Sequence, residues 1–193
     1  LAENSLREYL HLAGKIHDER GKARAYLALG RMYLIQGELE KADKSLKAAF
    51  DIVSKSDVDD KLGVAETLIA LGELYRLQGN LRQADRALSI SFDTLQYVAR
   101  PATESEKFQF EITNERIKAE AWYQLALLYA SRGGERDYEN AEAAYHESEY
   151  ILERIKEGIG DQRRFAKVLN QMAVFDTEMA KRLSVGESQE ARE

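Results

Sequence analysis

Apolar residues recur every three or four positions along most of the chain, and this spacing predicts amphipathic α-helices. Tyr26, Leu29 and Tyr33 form one such series, and Ala42 and Leu46 belong to the next. The spacing predicts an all-α chain with eight helices, near residues 4–20, 22–36, 39–55, 62–78, 81–98, 106–132, 138–156 and 162–183.

The helical pattern repeats within the chain. A segment that starts at residue 23 aligns without gaps to one that starts at residue 65, and the Leu-Gly pair at 29–30 recurs at 71–72. The two copies are therefore 42 residues apart. A third, looser copy has Leu-Ala at 125–126, which is 54 residues after the second, so extra residues lie between them. This regularity indicates an array of repeated helical units.

Each copy is predicted to form two helices around a glycine turn. Gly37 falls where the first helix ends and the chain reverses, a position that often requires a positive φ angle. A glycine inside a helix costs roughly 0.5–1 kcal/mol relative to alanine, so its retention in two copies predicts a close helix crossing. The small residues at the predicted crossing are Gly30, Gly72 and Ala126 in the first helices, and Ala42, Ala84 and Ala141 in the second helices.

These residues resemble the tetratricopeptide repeat family, whose pattern is an aromatic residue or leucine, Leu-Gly, tyrosine, a turn glycine, alanine, a bulky residue and a second small residue. The 42-residue spacing exceeds the family's usual 34 and resembles the lengthened repeats of kinesin light chain and of bacterial regulators of the maltose-activator type. The proline that commonly closes a repeat is missing. The matching residues are Tyr26, Leu29-Gly30, Tyr33, Gly37, Ala42, Leu46 and Ala49; Leu68, Leu71-Gly72, Tyr75, Gly79, Ala84, Leu88 and Ser91; and Trp122, Leu125-Ala126, Tyr129, Gly133, Ala141, Tyr145 and Ser148.

The resemblance implies a right-handed α-solenoid of antiparallel helix pairs, with a single array over residues 1–183. Its expected parts are a half repeat at 4–20, repeats at 23–56 and 65–98, a lengthened repeat at 106–157, and a capping helix or partial repeat at 162–183. The polar tail 184–193 is expected to be disordered. Residues 99–115 are either an early start of the third repeat's first helix or a flexible loop.

Helix starts have their own signals in the sequence. Asn80, followed three residues later by Gln83, predicts an N-cap. Ser5 with Glu8 and Thr103 with Glu106 have the spacing of capping boxes.

Composition excludes several classes of function. The chain of 193 residues has no cysteine, which rules out disulfides, cysteine zinc sites and a thiol nucleophile. Its formal charge of -6 opposes binding to nucleic acid or anionic lipid. Neither the three histidines nor the glycines have the spacing of a metal or phosphate site. We therefore expect no enzyme activity, no cofactor, no metal and no membrane association, and an intracellular, cytoplasmic location.

In the tetratricopeptide family the first helix of each repeat lines a concave surface that binds partners. The resemblance therefore implies a groove that binds a protein or peptide, rich in arginine in the first repeat and in glutamate in the second. Cross-groove pairing of those charges, or plain exposure to solvent, is the alternative interpretation. The expected groove residues are Arg24, Leu27, Arg31, Leu34, Glu66, Ile69, Glu73, Arg76, Glu120, Tyr123 and Leu127.

Two known peptide-binding modes of the family do not fit these positions. A clamp for a terminal carboxylate would place Glu66 against the ligand's charge, and asparagines that hold a peptide backbone are replaced by Ala28, Ala70 and Gln124. Two hypotheses for function remain. The first is a scaffold or adaptor that binds a partner peptide or helix within a larger assembly. The second is the sensor or regulatory domain of a multidomain signalling protein or transcription regulator.

Overall fold

The fold is described by a computed structural model over residues 2–55, 59–99, 101–155 and 159–190, except for the side chains of residues 104–105, 159–161 and 182–190. Within these ranges the chain is all-α, as predicted, and forms a tetratricopeptide-like α-solenoid. Its helices are α1 (Ala2–Lys15), α2 (Glu19–Gln36), α3 (Leu39–Val53), α4 (Lys61–Leu77), α5 (Leu81–Gln96), α6 (Glu104–Arg132), α7 (Glu135–Ile155) and α8 (Ile159–Glu190).

The helices pack as successive pairs. The helix α2 packs against α3, α4 against α5, and α6 against α7, while α1 and α8 pack at the two ends. The first helices of the pairs also touch one another in order, α2 with α4, α4 with α6, and α6 with α8. One layer of the solenoid is therefore made of α2, α4, α6 and α8, and this layer carries the predicted groove.

The close helix crossing predicted from the small residues is present in the structure. A Cβ atom added to Gly30 would lie 2.6 Å from Cγ of Leu46, and one added to Gly72 would lie 2.9 Å from Cγ of Leu88. Ala126 is fully buried at the third crossing. Because these positions have no room for a larger side chain, they set the distance between the two helices of each pair.

Glycine turns end the first helix of each repeat. Gly37, Gly79 and Gly133 have φ angles of 73°, 75° and 75°, a left-handed conformation that glycine adopts without a steric penalty. The positive φ predicted for Gly37 is confirmed. The amide of Gly37 donates to the carbonyl of Leu34 at 3.1 Å, which satisfies one of the free carbonyls at the helix end.

Side-chain caps fix the starts of the helices. Asn80 Oδ1 accepts a hydrogen bond from the Gln83 amide at 3.3 Å, as predicted. Asp18 Oδ1 accepts one from the Gly21 amide at 2.8 Å. Such caps satisfy amides that have no partner within the helix.

The structure corrects the boundaries predicted at the N-terminus. The helix α1 ends at Lys15 rather than at residue 20, because His17 has a positive φ of 55° and Asp18 caps the next helix. Ser5 lies within α1 and therefore cannot cap it. Thr103 is the N-cap residue of α6, but its hydroxyl donates to Glu106 Oε2 at 2.6 Å and makes no cap bond to the backbone, so the predicted capping box is wrong.

Two segments are more helical than expected. Residues 104–115 belong to α6, which favours the early helix start over the flexible loop. The tail expected to be disordered from residue 184 is helical as far as Glu190, and residues 191–193 lie outside the described part. Extending an existing helix costs far less than starting one, and no proline interrupts residues 159–190, so α8 continues into the polar segment.

The serines that replace small apolar residues are buried without loss of hydrogen bonding. Ser91 Oγ donates to the carbonyl of Leu88 at 2.7 Å, and Ser148 Oγ donates to the carbonyl of Ala119 at 2.8 Å. The second bond joins α7 to α6. A serine therefore fits this position because its hydroxyl reaches a backbone acceptor.

Gly72→Leu tests the close crossing. The larger side chain would collide with Leu88, and overpacking of this kind costs about 1–3 kcal/mol of the free energy of unfolding. Thermal unfolding should show a lower Tm, by about 2–4 °C for each kcal/mol in a chain of this size.

Gly14→Ala is the matched control for that variant. A Cβ at Gly14 in α1 meets no atom within 4 Å. Alanine is favoured over glycine in a helix by up to about 1 kcal/mol of the free energy of unfolding, so this change should leave the Tm unchanged or raise it. An unchanged Tm for Gly72→Leu would show that the helices of the second repeat are not closely packed.

Candidate functional site

A cavity of about 460 Å³ lies on the layer formed by the first helices of the repeats. Four helices contribute to its wall, so the cavity depends on the stacking of all the repeats. We call it the concave cavity. Its lining residues are Arg31, Leu34 and Ile35 from α2; Glu66, Ile69 and Glu73 from α4; Thr113, Arg116, Ile117 and Glu120 from α6; and Arg164 and Lys167 from α8.

Most of the predicted groove residues are brought together in this region. Arg24 and Leu27 line a smaller cavity of about 90 Å³ that shares Glu66 and Ile117 with the concave cavity. Tyr123 lines a narrow space beside Glu120. The predicted residues that line the concave cavity itself are Arg31, Leu34, Glu66, Ile69, Glu73 and Glu120.

Two predicted residues, Arg76 and Leu127, line neither the concave cavity nor the two smaller spaces beside it. Leu127 packs against the buried core of the third repeat, beside α7 and α8. Arg76 is half-buried, its Nε atom is buried without a hydrogen-bond partner among the described residues, and its charge acts on Glu73. Both lie further along their helices than the residues of α4 and α6 that line the concave cavity.

The sequence analysis did not anticipate two parts of the wall. Thr113, Arg116 and Ile117 come from α6, and of these Thr113 lies in residues 99–115, which the sequence left open between helix and loop. Lys167 comes from α8, which the sequence identified only as a cap or partial repeat. Its position carried a usable signal, because Lys167 precedes Ala173 by six residues, as Glu66 precedes Gly72 and Glu120 precedes Ala126.

Burial raises the pKa of two carboxyl groups in the concave cavity. Loss of hydration is the main cause at Glu66, opposed by the positive charge of Arg31. Loss of hydration is also the main cause at Glu73, and the neighbouring carboxylate of Glu120 raises that pKa further. The fold therefore holds two carboxylates where being charged is unfavourable, which is a cost that packing alone does not require.

An aromatic ring connects α8 to this group of charges. The Lys167 Nζ atom lies 4.4 Å from the centroid of the Tyr123 ring, a cation–π contact. Burial, and after it the charges of Glu120 and Glu73, raises the pKa of Tyr123 to about 12, so its hydroxyl stays protonated at neutral pH. Lys167 is thus held at the edge of the concave cavity.

A buried amide holds the third carboxylate. Gln124 is 1% exposed, and its Nε2 donates to Glu120 Oε1 at 3.0 Å. Its Oε1 is buried and has no hydrogen-bond partner in the part of the chain that the structure describes. A buried acceptor without a donor is costly, so the Gln124 amide is held in place at the expense of one hydrogen bond.

Opposite charges in the groove do not neutralise each other by direct contact. Among the described residues, no ion pair within 4 Å joins Arg24 or Arg31 to Glu66 or Glu73. The same ranges contain no group of three or more residues that could hold a metal ion, and none of their helices is long and apolar enough to cross a membrane. The lining combines charged side chains with aliphatic surface, a combination that is common in binding sites.

Comparison with known proteins finds a matching family model and a similar solved structure. Residues 21–89 match the family model of the tetratricopeptide repeat. No curated protein matches the chain. The crystal structure of a de novo designed helical repeat protein is similar, with 20% sequence identity over 91% of this chain and 87% of that chain, and a TM-score of 0.49. The matched segment includes most of α2 and all of α4, two of the four helices that line the cavity.

Replacing the two carboxylates whose charge is disfavoured by burial should stabilise the fold. A carboxyl group with a raised folded pKa contributes stability at low pH that is lost as the pH rises through that pKa. Glu66→Gln with Glu73→Gln removes the charge while keeping the shape, so the Tm at pH 7.5 should rise.

The pH dependence checks the cause of that effect. The gain in Tm should shrink as the pH falls towards the ordinary glutamate pKa of 4.5, because the wild-type carboxyl groups then become neutral as well. Glu40→Gln with Glu142→Gln changes two exposed carboxylates on α3 and α7 and should produce no such rise. A lower Tm for the cavity variant at neutral pH would contradict this account of burial.

Proposed function

We propose that this chain is a non-enzymatic protein-interaction module that binds a partner peptide or helix in the concave cavity. The supporting observation is that four successive first helices line one cavity in which charged and aliphatic side chains alternate. Tetratricopeptide repeats generally mediate protein–protein interaction, and residues 21–89 match that family. The chain acts in this proposal as the scaffold or adaptor part of a larger cytoplasmic assembly.

The apolar part of the concave cavity supplies the binding energy in this proposal. Ile35 is 88% exposed although it lines the cavity. Leu34, Ile69 and Ile117 line the same cavity. Burying one large aliphatic side chain contributes about 1.5–3 kcal/mol, so a partner that covers Ile35 gains affinity without any change in the fold. The charges around it then select the partner and its orientation.

The proposed module is the whole array. The half repeat, the two regular repeats, the lengthened repeat and α8 act as one unit, because the concave cavity needs α6 and α8 as well as the repeats at 21–89. The lengthened repeats are similar to those of kinesin light chain and of maltose-activator-type regulators, and this finer resemblance stays a prediction. Its peptide-backbone asparagines are absent here, so we propose a different mode of recognition.

Charge reversal on α2 tests the proposed surface. Arg24→Glu with Arg31→Glu changes two side chains that are one above the other on α2, and binding should weaken by about tenfold or more while the helical spectrum persists. Proteins captured from extract by immobilised wild type are quantified by mass spectrometry, and the affinity of each recovered partner is then measured by calorimetry.

Lys44→Glu with Arg86→Glu is the matched control. Both residues are exposed, lie on the second helices α3 and α5 at equivalent positions 42 residues apart, and give the same change in net charge. This control should keep the wild-type affinity. Equal weakening by both pairs would place binding outside the concave cavity and attribute it to the overall charge of the protein.

A further inference from the structure

The charges of the concave cavity are sorted by helix. The first helix of the layer, α2, contributes Arg31, and α8 at the other side contributes Arg164 and Lys167. Between them, α4 and α6 contribute three carboxylates, Glu66, Glu73 and Glu120. The order across the layer is therefore positive, negative, negative and positive, with Arg116 on α6 as an additional cation.

The carboxylates of α4 and α6 lie deeper than the cations of α8. Glu66, Glu73 and Glu120 are half-buried, as are Arg31 and Arg116, whereas Arg164 and Lys167 on α8 are exposed. Within the described residues, Glu66 and Glu73 accept no hydrogen bond from a side chain. A carboxylate that has lost water without gaining a donor favours a ligand that supplies one.

The surface next to these carboxylates is aliphatic. Leu34, Ile69 and Ile117 line the same cavity, and Ile69 and Ile117 are buried. A lysine or arginine side chain needs this combination, because its methylene stem packs on apolar surface while its charged end needs acceptors. An acidic side chain would have to place its own charge against three carboxylates.

The three carboxylates leave several acceptor positions open to one donor group. Glu66 and Glu73 accept no side-chain hydrogen bond among the described residues, and Glu120 accepts one, from the Gln124 amide. An ammonium has three N–H donors and a guanidinium has five, so either can serve several acceptors at once. A neutral aliphatic side chain would leave these acceptors unsatisfied.

We infer that the partner inserts one lysine or arginine side chain between Glu66, Glu73 and Glu120, with acidic residues on both sides of it that meet Arg31 and Lys167. This inference rests on the proposed function and narrows it to a peptide segment with a basic anchor and acidic flanks. Thr113 and Ile117 on α6 form the wall of the concave cavity beside this anchor. The anchor therefore occupies a bounded pocket within the groove.

Selection from a displayed library of random 12-residue peptides tests the inference without knowledge of the natural partner. Peptides are selected on the wild-type protein, on Glu66→Gln with Glu73→Gln, and on the control Glu40→Gln with Glu142→Gln, which has the same net charge as the cavity variant. Wild type and control should enrich one lysine or arginine with acidic neighbours, and the cavity variant should lose that enrichment.

A selected peptide is then synthesised with its basic anchor and with methionine in that place. Fluorescence anisotropy should show at least tenfold weaker binding of the methionine peptide to wild type, and less than about threefold between the two peptides on the cavity variant. This double comparison isolates the contact, because a general effect of charge would persist on the variant.

The outcomes separate the inference from the proposed function. Peptides whose binding is lost with Arg24→Glu and Arg31→Glu but which carry an acidic or apolar anchor would overturn the inference and keep the groove as the binding surface. If no selected peptide needs Arg24 and Arg31 for binding, both the inference and the proposed function would be overturned. Retention of the basic preference by the cavity variant would assign the preference to another surface.

Discussion

The close crossing of the two helices in each repeat is the constraint on which the rest of the structure depends. Gly30 lies against Leu46 and Gly72 against Leu88, so closely that an added Cβ would collide with the leucine. Because each pair is held at this short distance, the pairs stack with their first helices in one layer. The concave cavity exists only because α2, α4, α6 and α8 share that layer.

The packing of the array and its cavity make opposite demands. The core between the helices is apolar and closely packed, whereas the concave cavity holds Glu66 and Glu73 where burial raises their pKa. Neutral residues of similar size would be cheaper for folding at neutral pH. Functional surfaces commonly keep groups that destabilise the fold, because the same groups stabilise a bound partner. The buried carboxylates of the concave cavity are therefore an argument for a binding role.

The sequence predicted the fold through features that are local and repeated. The glycine turn at Gly37 and the cap at Asn80 follow from backbone conformation and short-range hydrogen bonds, which residue types and spacing encode directly. Within the groove, Arg31 and Glu66 were placed by their repeat positions. The wall formed by Thr113 and Ile117 could not be placed in this way, because it depends on a tertiary contact of the inserted segment. The helical tail was missed because composition is a poor guide where an existing helix can simply continue.

The most direct measurement of the central claim is a methyl NMR titration of the isoleucine-labelled protein with a selected peptide. Ile35, Ile69 and Ile117 line the concave cavity, whereas Ile52, Ile90 and Ile151 lie on the second helices α3, α5 and α7. We expect the first three methyl signals to shift with the peptide concentration while the other three stay fixed. Shifts confined to Ile52, Ile90 and Ile151 would contradict the assignment of binding to the concave cavity.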